Sequence, residues 1–282
     1  MGVAITSLRE GFSLLSNHWR STGLIAIIAF FMSAGIVFSQ MIPFAGAVLT
    51  IPFIIVGVAL MYAIANHAAE HGEGRLDVGF ELFRARWLSF LGAYAMIFIA
   101  GVVLVMLIIV PFFVVLTLML ITAHILIGLV GLAVLGILGC FAYFGYAMLM
   151  QLLFPLIAIE RLSAVDALSA AMSIIRSNPL SAIGFTLIRL CVQYIPFILG
   201  GFAAAVLARA GIQAVYEEFT MLIEDPPADL AEQPAVLELF LQAMDPIDLV
   251  LMFVVIFGAG VVGETIRVAY TTSFVRSVRQ AE

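Results

Sequence analysis

Uncharged apolar runs alternate along this chain with short polar stretches, and the runs are too long for the helices of an ordinary soluble core. Residues 21–39 and 44–65 form two of them, joined by Gln40-Met41-Ile42-Pro43, a link with room only for a hairpin. The 73 residues of 87–159 then pass without one Asp, Glu, Lys or Arg. Two further runs, 180–208 and 247–274, are apolar but for a few isolated charges. A helix needs about 20 apolar residues to cross a hydrocarbon core of roughly 30 Å. Each run therefore predicts a transmembrane helix, and the long one predicts at least two.

Arginine placement sets the parity. All 12 basic residues are Arg. Arg9 and Arg20 precede the first span, Arg75, Arg84 and Arg86 follow the second, Arg161 and Arg176 follow the long run, and Arg276 and Arg279 close the chain. Basic residues in short loops stay on the cytoplasmic side. All four groups share that side only if 87–159 crosses twice, with its outer hairpin near Pro111, His124, Gly128 and Gly131. The expectation is an all-α polytopic transmembrane bundle of six spans, forming a single membrane domain over 1–282, with both termini cytoplasmic. The first run exceeds the h-region of a signal peptide and reads as a retained helix.

Composition agrees: 64% of the residues are hydrophobic and only 11% charged, too few charges to cover a soluble surface. The net charge of -6 is unevenly spread. The loop 209–248 holds nine acids against Arg209 alone, whereas the rest of the chain has a small basic excess. That acidic loop falls outside. Within it, Ile212, Val215, Phe219 and Leu222, and after Pro226-Pro227 the set Val236, Leu237, Phe240 and Leu241, recur at helical spacing, predicting two short amphipathic helices. A net-acidic chain has no basic stripe for nucleic acid.

The segments ahead of the first, third and fifth spans share a register. Leu8, Phe12, Leu15 and Trp19 recur 68 positions later as Leu76, Phe80, Phe83 and Trp87. A weaker third copy, 160 positions from the first, is Leu168, Met172, Ile175 and Pro179. Ser21, Ser89 and Ser181 keep the same register. Steps of four, three and four hold these positions on one helical face. The predicted unit is an amphipathic helix in the headgroup layer followed by a transmembrane hairpin, repeated over 7–66, 75–159 and 163–274, with terminal arginines such as Arg176 reaching lipid phosphates. Ser163 and Asp166 read as the N-cap and first-turn acid of the third such helix, and Pro155 as the residue that ends or kinks the span before it.

The order Phe154-Pro155-Leu156-Ile157-Ala158-Ile159-Glu160, then Ser163 to Leu168, then Ile175-Arg176-Ser177-Asn178-Pro179, resembles the membrane domain that accompanies glycerophosphoryl diester phosphodiesterases. In overall plan, lysine-free acidic composition and the ending from Tyr270 to Arg276, the chain is similar to six-helix membrane proteins of halophilic archaea. The resemblance implies an integral membrane domain and carries no catalytic residue over; no soluble segment here could hold the phosphodiesterase barrel of about 250 residues.

Charges inside the spans are the sharpest functional signal, because each is costly in hydrocarbon. Arg189 lies ten residues after Pro179 and Glu264 ten before Phe274, so both are expected about 15 Å into their spans and able to pair. Arg267 shares the face of Glu264, and Gln151 and Gln193 sit at similar depths, with Tyr194 nearby. Such a cluster reads either as a helix-locking bridge or as a polar pocket. A second motif, His67-Ala68-Ala69-Glu70-His71, has the H-x-x-E-H order of an inverted zinc protease, but no third ligand follows and the motif sits where the second span frays towards Gly72 and Gly74. Gly200, Ala204 and Ala208, with Gly201 and Ala205, form small-residue faces suited to close helix packing. No nucleophile elbow, Walker loop or dinucleotide fingerprint is present. These readings lead to a non-enzymatic scaffold or accessory domain of the cell membrane, without a cofactor, engaging lipid or a membrane-protein partner. The alternative is a small-molecule or lipid transporter with a polar site within the membrane; an intramembrane zinc hydrolase at His67 and His71 is a distant third.

Overall fold

The computed structural model describes residues 2–42, 46–122, 125–224 and 236–280. Pro43, His124, Pro226 and Pro227, named above, and several acids of the 209–248 loop lie outside the described residues. The described chain is all-α, and its helices are α1 (Gly2–Asn17), α2 (Trp19–Gln40), α3 (Gly46–His71), α4 (Leu76–Thr122), α5 (Ile125–Glu160), α6 (Ala164–Ser177), α7 (Pro179–Leu207), α8 (Arg209–Glu224), α9 (Val236–Ala243) and α10 (Pro246–Gln280). Six of these, α2, α3, α4, α5, α7 and α10, are long and apolar enough to cross a membrane. Helix is what such sequences must form there, because hydrocarbon offers no partner for backbone N–H and C=O groups. The chain is a multi-pass helical membrane protein.

Two compact units divide it, one of Met1–Leu190 with Ile266–Glu282 and one of Cys191–Thr265, so α7 and α10 each contribute to both. In the first unit three helical segments are buried around their whole circumference: 57–65 of α3, 155–158 of α5 and 267–275 of α10. A helix buried on every side belongs at the centre of its bundle. Aromatic rings fill the space around these segments: Phe185 of α7 stacks on Phe274 at 4.1 Å and lies 5.3 Å from Tyr270, and Phe90 of α4 stacks on Phe154 of α5 at 6.1 Å.

Three leading segments, α1, the first turns of α4, and α6, pack against this centre through small residues. Gly11 and Leu14, Gly79 and Leu82, and Ala171 and Ile174 are buried, and the three pairs occupy the same register of the sequence repeat. A Cβ added to Gly11 would stand 3.0 Å from the backbone N and Cα of Tyr270, and one added to Gly79 would stand 2.8 Å from a methyl of Leu60. Thus α1 lies on α10, the start of α4 lies on α3, and α6 lies on α5. Short connections account for the second and third of these pairings. The first joins the two ends of the chain.

Junctions between leading helix and span differ among the repeats. His18 (φ −119°, ψ 54°) separates α1 from α2, and Asn178 (φ −135°, ψ 61°) separates α6 from α7 with nearly the same backbone geometry at the same repeat position. The middle repeat has no such break. Its α4 is a single helix of 47 residues, about 70 Å long. The separate leading helix expected before Trp87 is therefore fused to its span, and Arg84-Ala85-Arg86, all good helix formers, stand where the other repeats place His18 and Asn178. Three of the four residues expected around the outer hairpin lie within helices. Pro111 is inside α4 and Gly128 and Gly131 are inside α5, so the connection lies between Thr122 and Ile125. Pro155 likewise does not end its span, since α5 continues to Glu160. Prolines are poor stop signals here, because a polar turn in hydrocarbon costs more than one lost helical hydrogen bond. The true stops at the ends of α3 and α5 are left-handed residues, Gly72 (φ 83°) and Arg161 (φ 55°).

In the second unit the end of α7 meets the start of α10 through glycines. A Cβ on Gly200 would stand 2.5 Å from that of Ala259, and one on Gly263 would stand 2.7 Å from the Gln193 carbonyl oxygen. Gly201, by contrast, faces open space. The two short helices expected in the acidic loop are α8 and α9, which pack together where Gly211 admits Phe240 and Met244. Much of the apolar face of α8 stays uncovered, with Ile212 and Phe219 both exposed.

Candidate functional site

The closing half of α10 carries polar groups into the centre of the first unit. Arg267 is buried, and its Nη1 donates to the Tyr62 hydroxyl at 3.3 Å, with the guanidinium 5.9 Å from the ring centroid. A buried cation on a tyrosine face gains both a hydrogen bond and attraction to the ring quadrupole. One turn on, Thr271 returns its hydroxyl proton to the Arg267 carbonyl at 2.7 Å. The hydroxyls of Thr186, Tyr270 and Thr272 and the Gln151 Oε1 are buried without a hydrogen-bond partner among the described residues. Tyr62 was not among the residues marked by sequence, since an aromatic in an apolar run carries no sign of a cationic neighbour 205 positions away.

The remaining members of the predicted cluster divide between the units. Arg189 is buried near the end of the first unit's share of α7. In the second unit, Gln193 Nε2 donates to Glu264 Oε1 at 3.5 Å. Pairing of Arg189 with Glu264 thus stays an expectation of sequence depth.

Further along α10, at the end of the first unit where the chain termini gather, the polar contacts become dense. Arg279 forms a fork on Glu160, with Nε and Nη2 at 2.6 and 2.9 Å from the two carboxylate oxygens. Arg276 Nη1 donates to Asn66 Oδ1 at 3.1 Å and lies 3.3 Å from Glu70 Oε1. The Ser277 hydroxyl lies 2.9 Å from Glu10 Oε2, within donating distance, and Ser7 donates to Ser277 at 3.3 Å. Together these contacts bind α10 to α5, α3 and α1. Between them opens a polar cleft of about 330 Å³, lined by α1, His18, α3 and the last turns of α10. Sequence reasoning counted Arg276 and Arg279 only as loop charges. Their i, i+3 spacing at the end of a helix, opposite acids that end two other spans, was the available signal.

The H-x-x-E-H residues form the last turn of α3, ordered up to His71 instead of fraying. His67 and His71 stack at 4.4 Å, and His67 Nδ1 donates to the Glu73 carbonyl oxygen at 2.5 Å. Among the described residues no three His, Cys, Asp or Glu side chains assemble as a metal site. At α6, Ser163 Oγ accepts from the Asp166 N–H at 3.2 Å and donates to its carboxylate at 2.6 Å, while Arg176 occupies the last turn. Phe12, Trp19, Phe80 and Trp87 all point away from the bundle, with 49%, 70%, 51% and 48% of their surfaces exposed. Comparison of the chain with family models, with curated proteins and with solved structures finds no match.

Proposed function

We propose that the protein is a non-enzymatic accessory or scaffold domain of the cell membrane, of the kind the phosphodiesterase-associated resemblance implies, which holds lipid through its leading segments. One observation carries this reading. The small faces of α1, the start of α4, and α6 are spent on the bundle, which leaves Phe12, Trp19, Phe80 and Trp87 exposed in the company of the exposed arginines Arg9, Arg20, Arg84 and Arg176. Arg20 even lies over the Trp19 ring, 5.5 Å from its centroid. Exposed indoles beside guanidinium groups suit the headgroup layer, where the ring sits at the apolar boundary and the cation meets phosphate. With the basic residues at that end, both termini are cytoplasmic in this reading.

The protein's only two tryptophans are Trp19 and Trp87, so their fluorescence in vesicles reads the placement directly. Lipids brominated near the headgroup are expected to quench both more strongly than lipids brominated deep in the chains. Stronger quenching by aqueous iodide than by either lipid overturns the proposal. A second reading, transport of a small molecule or lipid, is favoured by the buried, unpartnered groups of Gln151, Thr186, Tyr270 and Thr272, which a passing polar ligand would satisfy. Labelling of a cysteine placed at Thr272 by a water-soluble maleimide supports that reading, and complete protection removes it.

A further inference from the structure

We infer that the cleft at the terminal end of the first unit is a binding site for a small zwitterion, a group carrying an ammonium and an anionic oxygen cluster a few bonds apart. The cleft encloses about 330 Å³, at the small end of the roughly 300–1,000 Å³ typical of ligand pockets. Its chemistry is two-sided. Arg276 spends only Nη1 on Asn66 and Glu70, so the N–H groups on Nη2 and Nε have no protein partner among the described residues. A guanidinium with two unspent donors in a fork is suited to a phosphate or carboxylate. Glu10 lines the same cleft, and among the described residues its one polar contact is with the Ser277 hydroxyl and no Arg or His pairs with it. An ammonium would neutralise that carboxylate. Asn17, His18 and Gln280 add further polar groups around the rim.

The cleft floor is also built and held. Arg276 is tied to α3, Ser277 to α1, and the neighbouring Arg279 to Glu160 of α5, so the two charged arms are fixed relative to each other by four helices. A cleft serving only as packing space has no need, among its lining residues, of an acid without a cationic partner and a guanidinium with unspent donors. The ligand chemistry has two sources, a free zwitterion such as O-phosphoethanolamine or the same group on a phospholipid. The lipid source rests on the headgroup-layer placement proposed above; the free-ligand source does not.

Both arms use the full-length protein. In detergent, O-phosphoethanolamine is titrated by calorimetry against wild type, Glu10→Gln and Arg276→Lys, each first shown by its melting curve to be folded. In nanodiscs, phosphatidylethanolamine is compared with phosphatidylglycerol by native mass spectrometry of retained lipid. Saturable binding in either arm is expected, with ethanolamine alone and inorganic phosphate alone much weaker. Loss of one charge-assisted contact should lower affinity about tenfold or more in Glu10→Gln, and Arg276→Lys should weaken the anionic arm by losing the fork. Binding of the free compound alone assigns a soluble ligand, and retention of the lipid alone assigns a headgroup. Absence of saturable binding in both arms, or binding by Glu10→Gln equal to wild type, overturns the inference. Tryptophan quenching is unaffected by either result, so failure here is separable from failure of the headgroup placement.

Discussion

Adding one methyl group at three glycines tests how the leading helices pack, because what each Cβ would meet differs sharply. Gly23 in α2 has nothing within 4 Å, Gly79 meets a terminal methyl of Leu60 at 2.8 Å, and Gly11 meets the backbone N and Cα of Tyr270 at 3.0 Å. Each Gly→Ala change gains up to about 1 kcal/mol of helix propensity. Overpacking costs about 1–3 kcal/mol where the obstacle cannot move. Gly23→Ala meets no obstacle and should stabilise. At Gly79 the Leu60 side chain can rotate aside, so gain and cost roughly cancel. At Gly11 the obstacle is backbone in a helix buried on all sides, and the net result should be a loss of about 1 kcal/mol or more. Melting of detergent-solubilised protein, followed by size-exclusion recovery after heating, should rank Gly23→Ala above Gly79→Ala above Gly11→Ala. The extremes should differ by several degrees, at about 2–4 °C per kcal/mol for a chain of this size. If Gly11→Ala melts with or above Gly23→Ala, α1 does not pack on α10 in the way described.

Three further outcomes follow from individual contacts. A double-mutant cycle on Glu160→Gln and Arg279→Gln should give a coupling of about 1 kcal/mol, above the weak end of the surface range because the pair is a fork and only partly exposed; additivity within error would refute the link between α5 and α10. Ser163→Ala should cost about 1 kcal/mol by removing the N-cap of α6, with Ser163→Asp restoring most of it. Prolonged chelation should leave the melting temperature unchanged, and a stoichiometric metal lost together with several degrees of stability would revive the zinc reading of His67 and His71.

Some of this structure was legible in particular residues. The alternation of apolar runs with arginine-bearing stretches predicted six crossings, and six helices of sufficient length are present. Ser163 and Asp166 announced a helix start because capping is local chemistry, settled within four residues. The junctions were harder. Nothing in an uncharged run says where a hairpin turns: Pro111 reads as a turn residue in sequence yet lies within α4, and the break falls between Thr122 and Ile125. At the leading helices, the bulky repeat positions are largely the outward ones; Gly11 and Gly79 share the repeat register, but that they, with Leu14, Leu82, Ala171 and Ile174, make the buried contacts is seen only in the structure.

The sequence by itself determined the solvent this chain needs, the number of crossings and the sign of each flank, because transfer free energy and charge are properties summed over local stretches. Tertiary structure alone decided which helices are central, that α1 closes onto α10, and that Arg267 rests on Tyr62, Arg276 on Asn66 and Glu70, and Arg279 on Glu160. In lipid the apolar faces of all spans look alike, so hydrophobicity does not choose neighbours; close packing and paired polar groups do. Those choices depend on residues more than 100 positions apart meeting at a few ångströms, a fact no local pattern records.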